Sequence, residues 1–142
     1  MTLSEIQAEI KKDSQLDKNH LDRESIAISS LHAKWLTILA GESKLFRTAK
    51  AEHDKLVLEL TLYYMGKASD EVYKEKPLQH KVLKQELQTW LDADDDYIAS
   101  KTQLEDTELK LTMIDSFMNE LKQRSFNIRN AIEFEKFKAG GF

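Results

Sequence analysis

The chain has no cysteine, one proline and four glycines in 142 residues. Without a thiol there is no cysteine nucleophile, no disulfide and no thiolate metal site, which fits a reducing cytoplasm. So little proline and glycine leaves few tight turns, so the composition favours long helices over sheets. No apolar run approaches the roughly 18 residues of a membrane-spanning helix. Met1-Thr2-Leu3-Ser4-Glu5 has neither the basic start nor the apolar core of a signal peptide. Internal repeats and low-complexity tracts are absent as well. The length suits one domain, expected to span residues 1–142.

Charge is abundant but uneven. The net charge is −4, with 32% of residues charged. Residues 44–84 carry nine basic and six acidic side chains, residues 85–121 two and ten, and residues 122–142 five and two. An acidic whole argues against a protein coated in nucleic acid. A local basic surface stays available, and phosphate contact is a local matter.

Apolar spacing sets the expected elements. Ile6 and Ile10 predict a short helix over Ser4 to Lys12, followed by a loop from Asp13 to Asn19. A long helix starts near Asp22, capped by Asp22, Ser25 or both. Its stripe is Ile28, Leu31, Trp35, Ile38, Leu45, Ala49, Leu56 and Tyr63. Gly41 is a place for it to bend, and Gly66 is placed to end it. Residues 67–80 form a basic, polar connection containing Pro77. A second helical region is expected from Leu78 to Ala139, with a break near Asp92–Asp96 and Gly140 and Gly141 closing it. These spacings divide the domain into 1–66, 67–80 and 81–142 and give an all-α fold of long helices with heptad-like stripes.

Catalytic chemistry finds little support. Asp92, Asp94 and Asp96 alternate like the start of an EF-hand loop. Tyr97 stands where that loop needs glycine, and Gln103 where it needs a bidentate glutamate. Acids at the first turn of a helix, offsetting its dipole, explain the run better. His20, His32, His53 and His80 lack metal-ligand spacing. No glycine-rich phosphate loop exists. The sequence predicts no enzyme, no cofactor and no metal.

Two surfaces are more informative. Lys44, Arg47 and Lys55 share one sector of the first long helix with Lys50 on its edge, nearly opposite Leu45, Ala49 and Leu56. Asp54 intrudes. Lys67, Lys74, Lys76, Lys81 and Lys84 follow, interleaved with Tyr63, Tyr64 and Tyr73. Cations beside exposed aromatics suit single-stranded nucleic acid, which offers phosphates to neutralise and bases to stack. A solvated helix face with core tyrosines is the commoner meaning of such spacing. The second surface is the C-terminal helix, where Leu111, Ile114, Met118, Leu121, Ile128 and Ile132 form a stripe with Ser125 in its one polar slot. Phe126, Phe134 and Phe137 point elsewhere. Two apolar faces on one helix suit a closed ring, each subunit offering two patches; a deeply buried helix in a monomeric bundle is the alternative.

Four stretches resemble the UvsY recombination mediators of T-even-like and related phages. They are Ala33-Lys34-Trp35-Leu36, Leu60-Thr61-Leu62-Tyr63-Tyr64-Met65-Gly66-Lys67, Leu91-Asp92-Ala93-Asp94-Asp95-Asp96, and Lys122 through Ile132 running into Phe137-Lys138-Ala139-Gly140. Their order and separations agree over nearly the whole chain. The resemblance implies a non-enzymatic helical protein in a ring-like or open-barrel homo-oligomer of six or seven subunits. It implies binding to single-stranded DNA, contact with a RecA-like recombinase and the single-strand DNA-binding protein, and loading of the former in place of the latter. It also implies the host cytoplasm during infection. One departure stands out. A Leu-Lys-Ala-Arg segment whose basic residues bind DNA is replaced here by Val57-Leu58-Glu59-Leu60. The expected DNA contacts are therefore Lys44, Arg47, Lys50, Lys55, Lys67, Lys74 and Lys76. The expected oligomer contacts are Leu111, Ile114, Met118, Leu121, Phe126, Ile128, Ile132, Phe134 and Phe137. The other class of function that fits is a helical adaptor or assembly chaperone without DNA binding.

Overall fold

The computed structural model describes residues 1–140. The chain is all-α, with no strand among the described residues. Its helices are α1 (Leu3–Asp13), α2 (Leu21–Tyr64), α3 (Asp70–Glu75), α4 (Leu87–Asp92) and α5 (Asp95–Lys138), with a single 3₁₀ turn at Lys84–Glu86. They make two compact units, one of residues 1–44 with 108–142 and one of residues 45–107. α2 and α5 each contribute a segment to both.

The first unit is organised by an indole. α1 starts in a capping box: the Thr2 hydroxyl accepts from the Glu5 amide at 3.1 Å, and the Glu5 carboxylate accepts from the Thr2 amide at 2.8 Å. This sets Ile6 against Trp35, Ile114, Phe117, Met118 and Leu121, all buried, with Ile10, Leu31, Ile38 and Leu39 packed around them. Trp35 and Phe117 lie with ring centroids 5.1 Å apart. The polar end of the indole is satisfied: Trp35 Nε1 donates to Asp13 Oδ2 at 2.9 Å, as does Lys34 Nζ at 2.7 Å. The Asp13 carbonyl accepts from Arg124 Nη2 at 2.8 Å, so the end of α1 is held by both long helices. Nearby, Glu42 and Lys110 form an ion pair at 2.7 Å with side chains only 5% and 9% exposed.

The second unit is built on tyrosines. Leu60, Tyr63, Tyr64, Val82 and Leu91 form its core, with Leu56, Tyr73, Leu78, Leu87, Trp90 and Tyr97 packed against it. α2 ends in a Schellman motif, the Lys67 amide donating to the Leu62 carbonyl at 2.8 Å and the Gly66 amide to Tyr63 at 3.1 Å. That geometry needs positive φ at Gly66, which has φ 74°. Asp94 caps α5, its Oδ1 accepting from the Tyr97 amide at 3.0 Å, with Asp95 and Asp96 in the first turn. Asp94, Asp95 and Asp96 thus form a helix start, as the dipole argument expected, while Asp92 ends α4.

Three expectations change. α2 starts one residue before Asp22, so Asp22 and Ser25 lie inside the helix, and the His20 carbonyl accepts from the Glu24 amide. The second helical region does not run from Leu78: residues 77–83 are not helical, because Val82 and Leu78 are drawn into the tyrosine core. Leu45, placed on the buried stripe by its spacing, is exposed. Gly140, with φ 77°, follows the end of α5; Gly141, its expected companion, lies outside the described residues.

Candidate nucleic-acid interface

The cations singled out by spacing are all on the surface. Lys44, Arg47, Lys50 and Lys55 are exposed along α2, Lys67 follows its C-terminal cap, and Lys74 and Lys76 sit in and just after α3. Lys44 falls in the first unit and the other six in the second. Lys50 pairs with Asp54 at 3.6 Å, but both side chains are more than half exposed, so the pair is weak and open to competition from phosphate. Lys76 Nζ lies 5.3 Å from the centroid of the Tyr63 ring. It also lines a groove of about 500 Å³ with Leu60, Leu62, Tyr63, Val72 and Asp96.

The tyrosines are not the stacking platforms that interleaving with cations suggested. Tyr63 and Tyr64 are 7% and 9% exposed and belong to the core. Tyr73 stacks on Tyr63 at 5.4 Å and donates from its hydroxyl to the Tyr63 carbonyl at 2.7 Å. Tyr63 in turn donates to the Lys76 carbonyl at 3.1 Å, fixing the backbone from which Lys76 projects. Tyr63 and Tyr73 thus hold the backbone of the basic connection.

Beneath it lies a charged hydrogen bond. The Tyr64 hydroxyl donates to Asp94 Oδ2 at 2.6 Å. Burial alone would raise the Asp94 pKa; the hydrogen bonds from Tyr64 and from the Tyr97 and Asp96 amides, with the charge of Lys76, outweigh it and hold the carboxyl below its ordinary value. Burial, then the Asp94 hydrogen bond, push the Tyr64 hydroxyl up, so it remains a donor at physiological pH. This pair was invisible to spacing. Its signal was a tyrosine before a helix-ending glycine and an aspartate at a helix start.

The departure at residues 57–60 acquires a geometry. Leu58 is 60% exposed and Leu60 is in the tyrosine core. Neither can contact phosphate, and the exposed cations nearest in sequence are Lys55 and Lys67.

The expected oligomer contacts divide. Ile114, Met118 and Leu121 are consumed by the first unit's own core, and Ile128 is likewise buried within the chain. The stripe of Ile114, Met118 and Leu121 is met by Ile6 and Trp35, which the C-terminal spacing could not reveal, so these three belong to the core, and Ile128 is buried as well. Leu111 is half-buried. Phe126, Ile132, Phe134 and Phe137 remain exposed.

Comparison with known proteins gives a consistent result. A family model described as "Recombination, repair and ssDNA binding protein UvsY" matches residues 9–141. The recombination protein uvsY of Enterobacteria phage T4 is 28% identical over 141 residues, 99% of each chain. A crystal structure of the bacteriophage T4 recombination mediator protein UvsY superposes with a TM-score of 0.85 at 25% identity, covering 98% of both chains. A second crystal form gives 0.81 at 24%, covering 94% of this chain and 98% of that one.

Proposed function

Because the chain belongs to the UvsY family of recombination, repair and single-stranded-DNA-binding proteins, we propose that it is a recombination mediator. In this role it binds single-stranded DNA and loads a RecA-like recombinase in competition with the single-strand DNA-binding protein. The observation that carries the reading is the family match across residues 9–141. No helix among the described residues is long and apolar enough to cross a membrane.

The DNA surface is the exposed set Arg47, Lys50, Lys55, Lys67, Lys74 and Lys76 of the second unit, and Lys44, exposed on α2 in the first unit, is a further DNA contact. The unit that carries the six holds nine basic and thirteen acidic residues in all, so each subunit binds weakly and only locally. Assembly of several copies overcomes this, because contacts repeated along one strand add as avidity. The apolar contacts available to such an assembly are Phe126, Ile132, Phe134 and Phe137, exposed on α5. The partners are single-stranded DNA, the recombinase, the single-strand DNA-binding protein and further copies of the chain, six or seven by family likeness, in the host cytoplasm.

Titration of a labelled oligonucleotide at several salt concentrations tests the DNA step. Affinity should fall linearly in log–log form, by ~0.7 in slope per phosphate neutralised. Absence of binding at low salt would favour an adaptor without a DNA role.

A further inference from the structure

Self-assembly needs a surface that gives and a surface that receives, and α5 supplies the first. Phe126, Phe134 and Phe137 are 54%, 59% and 72% exposed. At about 100° per residue, Phe137 lies roughly 20° and Phe134 roughly 80° around the helix from Phe126. Buried Ile128 and Leu121 fall on the far side. An aromatic side chain contributes roughly 150–250 Å² when covered. The exposed fractions of these three therefore amount to roughly 300–450 Å², enough for the apolar centre of an interface taking about 800 Å² from each partner.

This face is ill suited to pairing with itself. Lys122, Arg129, Lys136 and Lys138 surround it against only Glu133 and Glu135. The two acids lie 4.0 and 3.7 Å from Lys136 and Lys138 of their own helix. A two-fold pairing would bring an excess of like charges together. The receiving surface should instead be apolar and uncharged, since docking three phenylalanines on a charge strips that charge of water.

α2 carries such a surface in the same unit. From Ser25 to Gly41 the only Lys, Arg, Asp or Glu is Lys34, and it is engaged by Glu9 at 2.8 Å and Asp13 at 2.7 Å. The exposed side of this stretch shows Ile26, Ser29, Ala33, Leu36, Thr37 and Ala40. Ile26 is 80% exposed and Leu36 46%. Glu5, Lys11 and Lys12 are exposed on α1, and Glu108, Asp115 and Glu120 on α5, so the unit's other helices do not offer a comparable charge-free length.

We propose that the aromatic face of α5 in one copy docks on the charge-free face of α2 in the next, around Ile26, Ala33 and Leu36. The contact is heterologous, so every copy uses both faces and the series closes into a ring when the rotation per subunit allows. The proposal rests on the self-assembly reading above and deepens it by naming the receiving surface.

The test uses two exposed-site variants of the full chain, Ala33→Arg and Phe137→Glu, with circular dichroism to check that each folds. The wild type should sediment as a large assembly and each variant alone as a monomer. An equimolar mixture should form a concentration-dependent dimer. In it, the intact aromatic face of the Ala33→Arg copy meets the intact α2 face of the Phe137→Glu copy. Leu36→Glu with Phe126→Glu should repeat the pattern. A mixture that stays monomeric, or single variants that still assemble, would overturn the assignment of these faces while leaving self-assembly standing. A monomeric wild type would remove the self-assembly reading itself.

Discussion

Replacing Tyr64 by Phe removes one oxygen from the second unit and leaves a buried carboxylate short of a donor. In the wild type, Asp94 receives the Tyr64 hydroxyl at 2.6 Å and the Tyr97 amide at 3.0 Å while 6% exposed. A hydrogen bond to a charged group contributes about 1.5–3 kcal/mol, and loss of this one should lower unfolding stability at pH 7 by that amount. The pH dependence separates this cause from a packing defect. The wild-type Asp94 pKa is depressed, so its contribution is present above the unfolded value near 3.8 and is lost as pH falls through the lower folded value. In Tyr64→Phe the burial penalty has less to oppose it, and the folded pKa rises. The variant carboxyl therefore protonates first on acidification, and a neutral Asp94 no longer misses the hydroxyl as badly. Urea unfolding at stepped pH should show the gap between the two proteins narrowing as pH falls from 7 through the carboxylate range. A gap that is constant with pH, or smaller than about 0.5 kcal/mol at pH 7, would refute the charged hydrogen bond as the cause.

Glu42→Gln leaves Lys110 buried without its counter-charge and should cost about 3–5 kcal/mol, read as a lower urea midpoint at unchanged slope. Gly66→Ala meets no steric neighbour, but φ 74° strains any side-chain-bearing residue; a loss of about 1–2 kcal/mol is expected by the same measurement. Lys74→Ala combined with Lys76→Ala should weaken binding to every single-stranded sequence alike and flatten the salt slope by ~1.4, at ~0.7 per lost phosphate contact. Unchanged affinity and slope with the assembly intact would move the DNA surface to Lys122, Arg129, Lys136 and Lys138.

Spacing read the long helices well because each has a buried stripe that repeats at the helical period. It placed α1 to within a residue at either end and Gly66 as the stop of α2. It failed where a side chain's partner is distant in sequence. Nothing near Leu121 reveals that Trp35 and Ile6 fill the space against it, so a core stripe resembled an interface. Nothing near Tyr63 reveals Val82 and Leu91, so a core cluster resembled a row of stacking aromatics. Residues 78–83 read as helical because no glycine or proline interrupts them. Yet Leu78 and Val82 pack against the tyrosines with that stretch of backbone outside the helices. The cations were placed on the surface correctly, since exposure is what charge dictates; their ligand is a separate question that periodicity does not answer.

Recombinase loading onto covered DNA tests the central claim most directly. Single-stranded DNA is first saturated with the single-strand DNA-binding protein, the RecA-like recombinase is added with ATP, and DNA-dependent ATP hydrolysis is followed with and without this chain. The account predicts a long lag without the chain and a shortened lag with it, an effect reduced in Lys74→Ala/Lys76→Ala and absent on DNA that was never covered. An identical lag with and without the chain, at concentrations where it is bound to the DNA, would contradict the mediator reading.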